Sequence, residues 1–207
     1  MEEMILIGYE WISVLLPAIA VIGVFGRIYR KKEMAQSRLR IMWLLVFAVY
    51  LFGVYHYTGA GTLFDAKRYG LELTSLNFMP FSDPGFDIVG YGLNVVLFVP
   101  FGFLMPLIWE RLNQYRYAAG FGALFSVWIE ASQLFNIRAT DIDDVILNTA
   151  GAVLGMLLFR LVSGVIGRKL VQTDTYRYEI LVYVGVTFFG RFLLFDEFGM
   201  AQLLYGF

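Results

Sequence analysis

Six long stretches of mostly apolar residues limit what this chain can fold into. They run over Ile5–Gly26, Ile41–Tyr57, Ile88–Trp109, Tyr117–Phe135, Val145–Val162 and Tyr178–Phe195. A helix needs about 20 such residues to cross the roughly 30 Å hydrocarbon core of a bilayer. The composition agrees, because 59% of the residues are hydrophobic and 16% are charged, against about a quarter charged in soluble domains. The sequence therefore predicts an all-α, multi-pass protein of the cell membrane with a bundle of about six transmembrane helices.

The rest of the composition excludes several classes of function. The chain has no cysteine and a single histidine, His56, which excludes thiol nucleophiles, iron–sulfur clusters and zinc sites with Cys ligands. A formal net charge of -1 provides no basic footprint for nucleic acid. We therefore expect membrane lipid as a partner, and we expect no nucleic acid, no cofactor and no bound metal.

Positive charges are distributed unevenly between the predicted loops. Of the 16 Lys and Arg residues, twelve fall on one side: Arg27, Arg30, Lys31, Lys32, Arg38, Arg40, Arg111, Arg116, Arg160, Arg168, Lys169 and Arg177. The others are Lys67, Arg68 and Arg138 in the opposite loops and Arg191 within the last stretch. Because Lys and Arg favour the cytoplasmic side, both termini are predicted to lie outside the cell. The acidic start, with Glu2 and Glu3, predicts a retained first helix rather than a cleaved signal peptide.

Two neighbouring spans carry small and polar residues on one helical face. In the fourth span these are Ala119, Gly122, Ala123, Ser126, Glu130 and Gln133, and in the fifth they are Asp144, Asn148, Gly151 and Gly155. A charge near the bilayer centre costs at least ~3 kcal/mol, so Glu130 is a candidate for function. Gly151 and Gly155 have the spacing that lets two helix backbones approach closely.

The outer ends of spans three to five are therefore predicted to share one polar site. Its candidate members are Asn94, Glu130, Gln133, Arg138, Asp141, Asp144 and Asn148. Three alternatives stay open: hydrogen bonds that only fix the bundle, ordinary helix capping by Thr140, Asp141 and Asp143, and a divalent cation held by Asp141, Asp143 and Asp144. His56, Glu10 and Arg191 lie near the same depth, where an ionisable group is usually interfacial.

Four sequence elements follow one another in a recognisable order. They are Asn77–Phe81 (NFMPF), Asn94–Gly102 (NVVLFVPFG), Glu130–Gln133 (EASQ) and Arg138–Gly151 (RATDIDDVILNTAG). This series resembles the VanZ-like membrane proteins over roughly Thr58 to Val162, with Phe78-Met79 standing where Leu-Ile is usual. The resemblance adds Asn77 to the candidate binding residues. Together with the predicted spans, it divides the chain into three parts: two N-terminal helices with a basic cytoplasmic loop (1–57), a VanZ-like domain of an outer loop and three helices (58–162), and a C-terminal helix with a tail (163–207).

The resemblance implies resistance to teicoplanin and related lipoglycopeptides, and two classes of mechanism are compatible with the residues. In the first, an outward-facing polar pocket binds a lipid-linked cell-wall precursor or the lipoglycopeptide itself. In the second, the protein is a membrane enzyme acting on a lipid-linked or phospholipid substrate. Glu130 or Asp144 would then be the acid–base residue, and Arg138 would clamp a phosphate.

Overall fold

The computed structural model describes residues 2–32, 37–71, 76–82, 88–136, 140–166, 176 and 178–206. Within these ranges the chain forms eight α-helices: α1 Glu2–Lys31, α2 Arg38–Thr58, α3 Leu63–Tyr69, α4 Ile88–Ile108, α5 Tyr115–Gln133, α6 Ile142–Ile166, α7 Glu179–Leu194 and α8 Glu197–Tyr205. A 3₁₀ turn, Glu110–Leu112, follows α4. Two strands of two residues each, β1 Leu76–Asn77 and β2 Thr140–Asp141, complete the structure.

The six long helices coincide with the six apolar stretches, so the all-α prediction is confirmed. In the described part, four segments are long and apolar enough to cross a membrane: Glu2–Lys31, Arg38–Tyr69, Ile88–Ile108 and Ile142–Gly164. The shorter α5 and α7, of 19 and 16 residues, are not among them. The count of six membrane crossings and the orientation of the termini therefore stay predictions.

Hydrogen-bonded caps mark both ends of α2 and the start of α3. The Ser37 side chain accepts the Arg40 N–H at the start of α2, and Gly59 ends this helix in the left-handed region at φ 60°, which glycine adopts without steric cost. Thr62 and Asp65 then form a reciprocal capping box at the start of α3. These caps end α2 and start α3.

Burial in the bundle follows the pattern expected of helices that face lipid. Large apolar side chains on the outer faces are exposed, including Ile12, Leu16 and Ile19 at 58–59%. Polar side chains such as Glu130 and Asn148 are instead buried between helices, at 5% and 2% exposure. This distribution is favourable in lipid, because exposed apolar groups contact hydrocarbon while buried polar groups find partners inside the protein.

The contact between α4 and α6 is close because glycines remove side chains from it. A Cβ added to Gly151 would lie 2.1 Å from the Val95 carbonyl oxygen, and one added to Gly155 would lie 2.0 Å from that of Val99. Gly102 of α4 has the same relation to Ala152 of α6, at 1.8 Å. The predicted close approach at Gly151 and Gly155 is therefore confirmed, and the partner helix is α4.

One end of the bundle collects most of the polar contacts, and we call it the polar end. There α2, α5 and α7 end, and α1, α4 and α6 begin. The Ser132 hydroxyl of α5 accepts the Gly61 N–H just after α2 (2.9 Å), and Tyr9 of α1 donates to the Leu194 carbonyl of α7. At the opposite end, Glu179 accepts hydrogen bonds from Arg40 and Tyr29, which joins α7 to α2 and α1.

Candidate functional site

A short loop segment, residues 76–82, is fastened to the start of α6 at the polar end. Strand β1 pairs with β2 in parallel, so that Leu76 is opposite Thr140 and Asn77 is opposite Asp141. The Asn77 side chain also donates from Nδ2 to Asp141 Oδ2 at 3.2 Å. The loop is therefore held against the entrance of α6 by both its backbone and a side chain.

Asp143, in the first turn of α6, ties the same segment to α4. One carboxylate oxygen accepts the backbone N–H of Phe81 at 2.8 Å, and the other accepts the hydroxyl of Tyr91 at 2.9 Å. The Asp143 N–H in turn donates to Asp141 Oδ1 at 2.9 Å, which is a typical N-terminal capping bond. Phe81 has φ 54°, an unusual conformation for an aromatic residue, and the bond to Asp143 holds it there.

Glu130 connects α5 to the segment that leads into α6. Its Oε2 accepts the Asp141 N–H at 3.0 Å, and its backbone carbonyl accepts the Thr140 hydroxyl at 3.2 Å. Glu130 is 5% exposed, so this carboxyl group is buried at the helix end. The bond also satisfies one of the backbone N–H groups that would otherwise be free near the start of α6.

Two further pairs cross between helices on the inner side of these contacts. Asn94 of α4 donates from Nδ2 to Asp144 Oδ1. One turn deeper along α6, Asn148 donates from Nδ2 to the Ser126 hydroxyl of α5 at 2.9 Å. The carbonyl oxygen Oδ1 of Asn148 is buried, and it has no hydrogen-bond partner among the residues that the structure describes. A buried acceptor without a partner costs roughly 1–3 kcal/mol.

We call these contacts together the polar cluster. Its members are Asn77, Tyr91, Asn94, Ser126, Glu130, Asp141, Asp143, Asp144 and Asn148. It contains four carboxyl groups, and Glu130 and Asp144 lie close enough to repel each other when both are charged. None of the ion pairs formed among the described residues includes any of the four. The cluster thus brings together carboxyl and amide oxygen atoms that accept hydrogen bonds.

Six of the residues proposed from the sequence come together in this cluster: Asn77, Asn94, Glu130, Asp141, Asp144 and Asn148. Gln133 faces another neighbour, since its Nε2 donates to the Thr58 carbonyl at the end of α2 at 2.8 Å. Arg138, the proposed phosphate clamp, lies outside the described residues.

Tyr91 belongs to the polar cluster but is not among the residues predicted from the sequence. It lies in the first turn of α4, three residues before Asn94, and residues three apart lie on the same helical face. A hydroxyl-bearing side chain one turn before a candidate asparagine was therefore a usable signal. Asp143 was interpreted only as a cap or a cation ligand, but it also holds the loop and α4 together.

The cation alternative receives no support from the geometry. Among the residues that the structure describes, no group of three or more His, Asp or Glu side chains is arranged to hold a metal ion. The carboxylates of Asp141 and Asp143 accept protein N–H and O–H groups instead.

A second, separate network contains the three further candidates. The Glu10 carboxylate of α1 accepts Nε of Arg191 of α7 at 2.9 Å and contacts Nδ1 of His56 of α2 at 2.8 Å. Arg191 also donates to the Ala60 carbonyl at 2.7 Å. Glu10 and Arg191 are buried, and the His56 side chain is 53% exposed. This network joins α1, α2 and α7 at the polar end.

Fold and site together define an all-α membrane protein whose helix bundle carries a buried polar cluster at one end. The family model for VanZ/LLP1 matches residues 41–163. The chain therefore belongs to the VanZ/LLP1 family, which confirms the resemblance read from the sequence; the match includes most of α2.

One curated relative supports the same assignment. The chain is 27% identical to Protein VanZ of Enterococcus faecium over 164 residues, which cover 78% of this chain and 88% of that protein. No solved structure matches the chain.

Proposed function

We propose that this protein crosses the cell membrane six times and that its polar end faces the outside of the cell. All six long helices alternate in direction between the two ends of the bundle. The basic residues that favour the cytoplasm, such as Arg111 and Arg116, lie at the opposite end. In this orientation the polar cluster opens toward the outer leaflet.

We further propose that the polar cluster binds a lipid-linked cell-wall component or the lipoglycopeptide itself, and that this binding confers resistance to teicoplanin. The observation that carries the proposal is the buried Oδ1 of Asn148, which has no partner within the described ranges and belongs to the same cluster as the carboxyl groups of Glu130 and Asp144. Such a site is complementary to a head group rich in hydroxyl and amide N–H donors. Precursors of the cell wall and glycopeptides both carry such groups, together with an apolar chain that lipid accommodates.

A resistance assay tests this proposal. Glu130→Gln, Arg138→Ala and Asn148→Leu would each be expressed in a susceptible host, and membrane levels would be matched by immunoblot. We expect the three variants to lose most of the protection against teicoplanin. Gly164→Ala, an exposed site with open space around it, is the matched control and keeps protection. Full protection by well-folded Glu130 and Arg138 variants would contradict the proposal.

The enzyme alternative is favoured by one observation: two helices, α5 and α6, each contribute a carboxyl group, Glu130 and Asp144, to the same polar cluster. Such a pair is a common arrangement for general acid–base chemistry. Purified protein would be incubated with undecaprenyl-linked or phospholipid substrates, with and without divalent metal. A product that depends on both carboxylates would support the enzyme, and binding without any product under these conditions would support the first proposal.

A further inference from the structure

A groove separate from the polar cluster lies between α3 and α8. It has a volume of about 370 Å³ and is lined by Phe64, Lys67, Arg68, Asp196, Phe198, Gly199 and Gln202. None of these residues belongs to the polar cluster. Both helices lie at the polar end, because α3 follows the end of α2 and α8 follows the end of α7.

Two exposed cations, Lys67 and Arg68, form one wall of the groove. The Lys67 ammonium lies 4.7 Å from the centre of the Phe64 ring, and the Arg68 guanidinium lies 4.2 Å from that of Phe198. Within the described ranges neither side chain takes part in an ion pair. The rings hold both cations over an apolar floor, so their charges stay available to a ligand.

The acidic residue in the groove already has a structural role. Asp196 caps α8, and its Oδ1 accepts the Gly199 N–H at 2.7 Å. Among the residues that line the groove, the two cations therefore outnumber the one capping carboxylate. The two cations can contact a phosphodiester.

The surroundings of the groove indicate that its occupant comes from the membrane. Leu71 after α3, and Leu203 and Tyr205 of α8, are exposed apolar or aromatic residues. Short helices with such faces are typical of the membrane interface, where aromatic and basic side chains contact head groups. A lysine at this level supplies a point charge and an arginine supplies two parallel donors for phosphate oxygens.

We propose that the groove between α3 and α8 binds the phosphodiester head group of an anionic glycerophospholipid from the leaflet at the polar end. Lys67 and Arg68 contact the phosphate, and the Phe64 and Phe198 rings pack against the glycerol and upper acyl carbons. The polar cluster is not needed for this binding, so the site goes beyond the proposed function.

Native mass spectrometry of the full chain in detergent tests the proposal, with phosphatidylglycerol, phosphatidylcholine and inorganic phosphate as probes. We expect the wild type to retain phosphatidylglycerol in preference to phosphatidylcholine. Lys67→Gln and Arg68→Gln should each weaken this binding about fivefold, as expected for one lost charge near an anionic head group. Lys67→Arg should retain it, because the charge is kept.

Arg116→Gln is the matched control, because Arg116 is exposed, lies over the Tyr117 ring at 4.9 Å and belongs to the opposite end. Its lipid binding should stay at the wild-type level. Equal retention of the two lipids, equal losses in the control, or displacement of phosphatidylglycerol by an equal concentration of inorganic phosphate would overturn the proposal. Thermal unfolding of each variant verifies that the fold is intact.

Discussion

The close contact of α4 with α6 predicts a large and specific cost for adding one methyl group at Gly151. The new Cβ of Gly151→Ala would lie 2.1 Å from the Val95 carbonyl oxygen, whereas ordinary contact begins at 3.4 Å. The two helix backbones must therefore separate by about 1.3 Å at this point. Neither partner atom can rotate away, because the contact is to backbone and to the Phe98 Cβ at 3.1 Å.

The magnitude follows from two opposing terms. Alanine favours the helix over glycine by about 1 kcal/mol, while overpacking a close interface costs about 1–3 kcal/mol or more. Gly164→Ala in the same helix gains the first term without the second, since nothing lies within 4 Å of its new Cβ. We therefore expect Gly151→Ala to be less stable than Gly164→Ala by about 2 kcal/mol.

Unfolding of the purified variants in mixed micelles, followed by tryptophan fluorescence as the fraction of SDS increases, measures this difference. Gly155→Ala, whose Cβ would lie 2.0 Å from the Val99 carbonyl, should behave like Gly151→Ala. The same displacement would separate Asn94 from Asp144, so teicoplanin protection should fall as well. Equal stability of Gly151→Ala and Gly164→Ala would refute the close α4–α6 packing.

Two other contacts predict a loss of stability when one of their side chains is replaced. Arg191→Met leaves the buried Glu10 carboxylate without its guanidinium partner and should destabilise the protein by about 3–5 kcal/mol, measured by thermal unfolding in detergent. The double variant with Glu10→Gln should recover part of this loss, and a double variant that recovers none would argue against the pair. Tyr91→Phe removes a donor to the Asp143 carboxylate and should cost about 1.5–3 kcal/mol in the same assay, whereas an unchanged unfolding temperature would show that this bond contributes little.

Hydropathy and helical periodicity predicted the helices and much of the polar cluster. The reason is that the position of a helix, and the residues that share one of its faces, depend on local sequence. Hydropathy and periodicity could not specify which neighbour a given side chain meets. Gln133 lies on the same stripe as Glu130, but this stripe faces two neighbours, and Gln133 bonds to the Thr58 carbonyl of α2 instead. Gly151 and Gly155 were recognised from their spacing, yet their partner α4 follows from the three-dimensional arrangement.

The loop contacts were harder to predict for another reason. The Phe81 N–H donates to the Asp143 carboxylate, and β1 pairs with β2 through backbone groups, so both contacts join segments about 60 residues apart in sequence. Any residue type except proline has a backbone N–H, so the sequence does not show which donor takes part. The Glu10–Arg191–His56 network likewise joins three helices that are distant in the chain. The sequence predicted only that these three side chains lie at a similar depth in the membrane, and the structure shows which of them pair.

The central claim is that the polar end faces the outside of the cell, and labelling of single cysteines tests it most directly. The chain contains no cysteine, so no background has to be removed. Leu71→Cys would probe the polar end and Gln114→Cys the opposite end, at two exposed positions. We predict that a membrane-impermeant maleimide labels Leu71→Cys in intact cells and Gln114→Cys only after lysis. The reverse pattern would contradict the claim and place the polar cluster at the cytoplasmic face.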